Sequence, residues 1–194
     1  MRNRTKNQIT LVMLRHGAAQ ANREHRYLGR TDVPLCEEGK RELMKFKTQN
    51  CYPQVDCLFT SPMKRCIQTA EILYPKLCPV TVGEWTEMDF GAFEGNNYGE
   101  LKEDARYQKW IDGGGTLPFP EGESREEFLL RCEKGFERMI EKLREPVMQG
   151  KINRAGMIVH GGTIMALLSR YYGGDYFDYQ VENGKGYVCT CNII

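Results

Sequence analysis

Two of the chain's three histidines sit in one local pattern, an apolar run followed by a histidine and a glycine. These stretches are "VMLRHGA", with Arg15 and His16, and "MIVHGGT", with His160 and Gly161. A third apolar run, in "CLFTSPMKR", leads into a helix start whose first turn carries Lys64 and Arg65. If the three runs are parallel strands of an open sheet, their carboxyl ends share one edge, the place where such sheets bind ligands. Arg15, His16, Arg65 and His160 then converge on that edge. Cations crowd together only around an anion, and the planar guanidinium fork matches the oxygens of a dianionic phosphate. The helix start adds unpaired N–H groups and the positive end of a dipole. The pattern points to a phosphate site.

The elements that must hold this site can be read along the chain. "ITLVMLRHG" has the continuous apolar character of a strand covered on both faces. "EEGKRELMKFKTQN" predicts a helix with Leu43, Met44 and Phe46 on its apolar side. "CLFTSP" predicts a buried strand ending at Thr60, with Ser61 as N-cap and Pro62 as first residue of a helix that runs from Met63 to about Tyr74. A short strand is expected over 79–82. Residues 83–122, rich in Gly, Pro and aromatics, are expected to form a small irregular lid lobe with two short helices, around Leu101 and over 107–110. The triple glycine Gly113 to Gly115 either lets that lobe move as a lid or is an ordinary exposed loop. Ser124 and Glu127 form a capping box opening a long helix to about Leu143. Its apolar side comprises Phe128, Leu129, Cys132, Phe136, Met139 and Ile140. "AGMIVHGG" is a strand, "TIMALLSRYYG" a helix closed by glycine, and "GYVCTC" a last strand. Strands alternating with helices predict an α/β three-layer sandwich, a mostly parallel central sheet flanked by helices, as one domain over residues 1–194.

Bulk properties agree. The 194 residues are 41% hydrophobic and 27% charged, enough for one full core. A net charge of +1 argues against nucleic acid or an anionic membrane as the main partner. No run approaches the ~18 apolar residues of a membrane span. The basic start "MRNRTKNQIT" carries no apolar stretch with a cleavage site, so no signal peptide is expected. None of the eight cysteines forms Cys-x-x-Cys, which reads as reduced thiols of a cytoplasmic protein. The histidines are not spaced to join them in a zinc site.

The ordered set "LRHGAAQAN", "LGRTDVPLCEEG", "TSPMKRCIQTA", "EMDFGAFEG" and "VHGG" resembles the histidine phosphatase superfamily (branch 1), of phosphoglycerate-mutase-like fold. The resemblance implies that His16 is the nucleophile that becomes phosphohistidine. It implies that Arg15, Arg65 and His160 clamp the transferring group, helped by the Asn22 side chain and the Gly161 N–H. Arg30 and Thr31 would rim the pocket. Glu87 would protonate the leaving oxygen; Glu84 and Asp89 compete for that role, but Glu87 precedes "MDFG" as the family pattern asks. Glu94 is read as positioning a loop. No metal or other cofactor is implied. Two departures stand out: Ala18 where the family often has Glu, and Cys36 where it usually has Thr or Ser.

Within the superfamily the wording is most similar to α-ribazole phosphatases, implying a hydrolase of a small-molecule phosphomonoester, monomeric or homodimeric. A cofactor-dependent phosphoglycerate mutase, a broad-specificity sugar or nucleotide phosphatase and an inactive phosphate-binding module remain open. The mutases carry a longer insert with extra cations, for which only Lys102, Arg106 and Lys109 are candidates here. Phe90, Phe93, Tyr98 and Trp110 either roof the pocket, stacking on a flat base, or pack the small lobe.

Overall fold

The structure, a computed structural model, describes residues 7–193; most of the basic stretch that begins the chain lies outside them. Five strands form one sheet: β1 (Gln8–Arg15), β2 (Cys57–Thr60), β3 (Val80–Thr81), β4 (Arg154–Val159) and β5 (Gly186–Asn192). Their order is β3-β2-β4-β1-β5. β1, β2, β3 and β4 pair in parallel, and β5 closes the edge antiparallel to β1. The sheet is therefore mostly parallel, as the alternation of strands and helices predicts.

Its faces explain the unbroken apolar runs. Along β1, Ile9, Leu11 and Met13 join one core cluster, whereas Val12 and Leu14 join a second on the opposite face. The helices are α1 (Gln20–Arg23), α2 (Glu37–Thr48), α3 (Lys64–Leu73), α4 (Tyr98–Leu101), α5 (Ala105–Asp112), α6 (Arg125–Met148) and α7 (Gly161–Tyr172). Buried residues of α2 and α3 supply the second cluster, and those of α6 and α7 the first. A strand buried on both faces needs apolar side chains at every position, not at alternate ones.

Register then positions the site. Arg15 lies opposite Val159, and Thr60 opposite Ile158. The residues just beyond, His16, His160 and Ser61, leave neighbouring strands at the same end of the sheet. α7 begins at Gly161, directly after His160, and ends at Gly173, whose φ of +80° suits a residue without a side chain.

Several expectations need correcting. Met44 is 59% exposed, because α2 buries only Gly39 and Leu43. The N-cap of α3 is Met63 rather than Ser61, and the helix starts two residues beyond Pro62. The long helix α6 passes Leu143 and runs to Met148, with Pro146 inside its last turns. Cys36 does cap α2: its Sγ accepts from the Gly39 N–H at 3.3 Å and donates to the Ala18 carbonyl at 3.3 Å. In the 83–122 lobe, α4 and α5 stand where two short helices were expected.

Candidate active site

His16 is buried with its tautomer set by a neighbour. Nδ1 lies 2.7 Å from the Gly17 carbonyl, which can only accept, so Nδ1 carries the proton. Nε2 is then a lone pair, and the Arg65 Nε–H approaches it at 3.3 Å. Burial first, then the charges of Arg65 and Arg15, hold the ring's pKa well below the ordinary histidine value of 6.5. A Cβ at Gly17 would meet Leu43 Cδ1 at 2.6 Å, so a larger residue here would displace the Leu43 side chain that packs under the loop. Its N–H donates to Thr69 Oγ1 at 3.0 Å, and that hydroxyl donates to the Arg65 carbonyl at 2.7 Å, so β1 and α3 hold the loop together.

His160 meets His16 edge to face, ring centroids 5.1 Å apart at 69°. Its Nε2 is 2.8 Å from Ser61 Oγ, and its Nδ1 is 4.0 Å from Glu87 Oε2. Burial, reinforced by Arg65, keeps this imidazole neutral too. Ser61, expected as the helix cap, accepts the Met63 N–H on its Oγ at 3.3 Å and, from just beyond β2, presents the same hydroxyl to the site.

Arg65 is fully buried and oriented by backbone. Its Nη2 donates to the Gly29 carbonyl at 2.8 Å and its Nη1 to the Thr31 carbonyl at 2.9 Å. Arg15 donates Nη1 to the Val181 carbonyl at 2.8 Å, while its buried Nε has no hydrogen-bond partner among the described residues. A Cβ on Gly161 would stand 3.5 Å from that Nε, so the first turn of α7 packs directly against the guanidinium. Unpaired N–H groups of such a turn suit an anion.

Glu87 is 8% exposed. Its Oε1 accepts the Met88 N–H at 3.0 Å. Burial raises its pKa above the usual carboxylate value, against the pull of that hydrogen bond and of Arg65 and Arg15. At Gly162 a Cβ would come within 2.6 Å of Oε1, so a larger residue there would displace the carboxyl. The competing acids are engaged elsewhere: Glu84 pairs with Arg138, and Asp89 accepts from the Gly91 N–H and pairs with Arg30 at 3.5 Å. Arg131 on α6, not singled out from the sequence, donates to the carbonyls of Glu84 and Thr86 at 2.7 and 2.8 Å and fixes the loop carrying Glu87.

The remaining residues lie further out. Asn22 lines a side cavity with Arg15 and Glu87, and its Oδ1 accepts the Ala19 N–H at 3.0 Å. The Arg30 side chain is 53% exposed and lines neither cavity beside the site. Thr31 enters through its backbone, not through its exposed side chain. Thus His16, His160, Arg65, Arg15, Glu87 and Gly161 come together, with Ser61 added; Arg30 and the Thr31 side chain do not join them.

Beside Arg15, Glu87 and Gly161 opens a cavity of about 410 Å³. Tyr27, Phe90, Trp110, Phe119 and Tyr176 form much of its wall. Trp110 and Phe119 stack at 4.9 Å. Phe90 and Trp110 therefore line the pocket, Phe93 is wholly buried in the lobe, and Tyr98, 63% exposed, meets Tyr107 edge to face at 6.3 Å without lining the pocket.

Residues 11–191 match the histidine phosphatase superfamily (branch 1). The 2,3-bisphosphoglycerate-dependent phosphoglycerate mutase of Bifidobacterium longum (strain DJO10A) is 33% identical over 120 residues, 56% of this chain and 48% of that protein. The chain thus spans about half the length of such mutase relatives. The uncharacterized phosphatase PhoE of Bacillus subtilis (strain 168) is 31% identical over 168 residues, 85% of this chain and 78% of PhoE. The solved α-ribazole phosphatase of Shigella flexneri shares the fold, with a TM-score of 0.78 at 24% identity over 93% of this chain and 89% of that one. The chain belongs to the histidine phosphatase superfamily, branch 1.

Proposed function

We propose that this chain is a phosphomonoester hydrolase working through a phosphohistidine on His16. The observation that carries the reading is the state of that ring. It is neutral, its proton is committed to the Gly17 carbonyl, and its free nitrogen lies beside Arg65 and His160. In the first step the Nε2 lone pair bonds to phosphorus as the bond to the ester oxygen breaks. That oxygen takes the proton from Glu87. In the second, the Glu87 carboxylate takes a proton from water, the hydroxide oxygen bonds to phosphorus, and the bond to His16 breaks. Charge on the transferring oxygens is met by Arg65, Arg15, His160 and the Gly161 N–H. For a loose phosphoryl-transfer transition state, alignment and charge stabilisation are most of what a protein supplies. Glu87 suits its double role because burial keeps it protonated beyond the usual carboxylate range.

Two observations favour water over a second phosphorylated intermediate as the acceptor. Arg106 is paired with Asp104 and Glu121, and neither it nor exposed Lys102 and Lys109 lines the large cavity. The likeness to PhoE extends over 85% of this chain, that to the mutase over 56%. For the alcohol we infer a ring-bearing group that stacks on the aromatic wall, with α-ribazole 5′-phosphate as the first ester to try. The test is hydrolysis of p-nitrophenyl phosphate by wild type and His16→Ala, with label from the phosphoryl group trapped on His16. A panel of esters including α-ribazole 5′-phosphate, ranked by kcat/KM, then addresses the substrate. Turnover no higher than the variant's would leave a phosphate-binding module. Interconversion of phosphoglycerates dependent on 2,3-bisphosphoglycerate, outweighing hydrolysis, would make it a mutase.

A further inference from the structure

A carboxylate outside the reacting groups is wired to the arginine clamp. Glu94 Oε1 accepts two backbone N–H groups, from Gly29 at 2.8 Å and from Thr31 at 3.0 Å. The carbonyls of those same two residues are the acceptors for Arg65 Nη2 and Nη1. Residues 29–31 therefore form a strap, with N–H groups on a carboxylate at one side and C=O groups on a guanidinium at the other. By pinning the backbone at residues 29 and 31, the Glu94 carboxylate fixes the positions of the two carbonyls that hold Arg65. Arg65 keeps its Nε–H for His16, so the strap decides how the guanidinium presents itself at the reacting centre.

The arrangement is tightly specified. A Cβ on Gly29 would fall 2.1 Å from the Met88 carbonyl and 2.6 Å from Glu94 Oε2, so glycine alone lets strap and carboxylate meet. Glu94 itself follows a single helical turn, Gly91–Phe93, whose Phe93 is fully buried. Its Oε2 is buried and has no hydrogen-bond partner among the described residues. A buried polar atom left unsatisfied costs free energy, so this glutamate is not there for packing alone.

We propose that Glu94 is a positioning residue for Arg65: through the Gly29–Thr31 strap it sets the guanidinium orientation and hence the strength of phosphoryl binding. This rests on the phosphatase reading above. The test is a double-mutant cycle in kcat/KM for p-nitrophenyl phosphate: wild type, Glu94→Ala, Arg65→Ala and the double variant. Glu94→Ala is expected to lower kcat/KM and weaken inhibition by inorganic phosphate, each by about 10- to 100-fold, and to add little loss once Arg65 is absent. Glu94→Gln, which keeps an oxygen acceptor, should restore most of the activity. If Glu94→Ala does not fold, judged by thermal unfolding, Glu94→Met, which fills the same space without an oxygen acceptor, takes its place in the cycle. Equal losses with and without Arg65, or no loss at all, would overturn the proposal. Should wild type itself fail to turn over, the same cycle is run on inorganic phosphate affinity by calorimetry. Coupling there upholds the strap while the hydrolase reading falls.

Discussion

Replacing Glu87 by glutamine isolates a proton. Glutamine has the same shape and can keep an oxygen for the Met88 N–H, now at 3.0 Å, so the fold and the arginine clamp should survive. What disappears is the acid. General acid catalysis contributes about 10²–10⁴-fold when the leaving group needs it. An alkoxide leaving group needs it in full, and nitrophenolate hardly at all. The expected result is a loss of about 10²–10⁴-fold in kcat/KM for an alkyl phosphate, against about 10-fold or less for p-nitrophenyl phosphate. The second chemical step gives an independent signature. Glutamine cannot take a proton from water, so with p-nitrophenyl phosphate the variant should release a burst of nitrophenolate and accumulate phosphohistidine. The pH profile supplies a third. In wild type, burial raises the Glu87 pKa, so alkyl phosphate cleavage should persist above the usual carboxylate range and fall as pH rises through the folded value. That alkaline limb should be missing from the variant. His16 is held well below 6.5, so its acid limb belongs below the ordinary histidine range. Equal losses of kcat/KM on both esters, with no burst, would refute the assignment of the acid.

Acid should destabilise the protein earlier than its carboxylates alone dictate. His16 and His160 resist protonation when folded, so below about pH 6.5 the unfolded chain binds more protons and stability falls with pH. Glu87 acts in the opposite sense: it keeps its proton when folded, so its contribution is greatest in acid and declines as pH rises from its unfolded value of 4.5 through the raised one. With two histidines against one acid, the net effect below about pH 6.5 is a loss of stability as pH falls. Urea midpoints at pH 7, 6 and 5 check this, and a flat response would contradict it. Gly162→Ala places a methyl within 2.6 Å of Glu87 Oε1 and 3.0 Å of Phe128 Cζ. It should therefore cost alkyl phosphate hydrolysis about 10-fold or more while nitrophenyl phosphate suffers less, the partial image of Glu87→Gln. Similar losses on both esters would place the damage at the clamp instead.

The parts of the site that were legible are those whose signal is local. A continuous apolar run ending in His-Gly identifies a doubly covered strand and its carboxyl end, and parallel register does the rest, setting His16 beside His160. Ser61 was legible as a residue but not as a participant, because Ser-Pro before a helix looks the same whether the hydroxyl caps it or not. What decides is the imidazole 2.8 Å away, supplied from 99 residues along the chain. Arg131 escaped for a related reason. Helical periodicity assigns a charged residue to solvent, yet this one turns inward to three backbone carbonyls and Glu123. Met44 is the converse, an apolar residue beside the buried stripe of α2 that the packing leaves outside. The strap from Glu94 to Arg65 joins residues through peptide groups, which carry no sequence identity at all.

Charge at this site is arranged so that the titratable groups are silent and the permanent cations are not. Burial drives His16 and His160 toward the neutral base and Glu87 toward the neutral acid. Guanidinium groups cannot discharge in the same way. Arg65 is instead held by two carbonyls, dipoles that orient it without neutralising it. Arg15 has one such carbonyl and a buried Nε without a partner among the described residues. Two guanidiniums buried this close are costly at low dielectric, a cost met by the packing of the surrounding sheet and helices. A dianionic phosphoryl group relieves that cost and offers an acceptor to Nε. Affinity for the group and the neutrality of its neighbours thus have one origin: the same burial that makes the arginines expensive keeps the nucleophile unprotonated and the acid loaded.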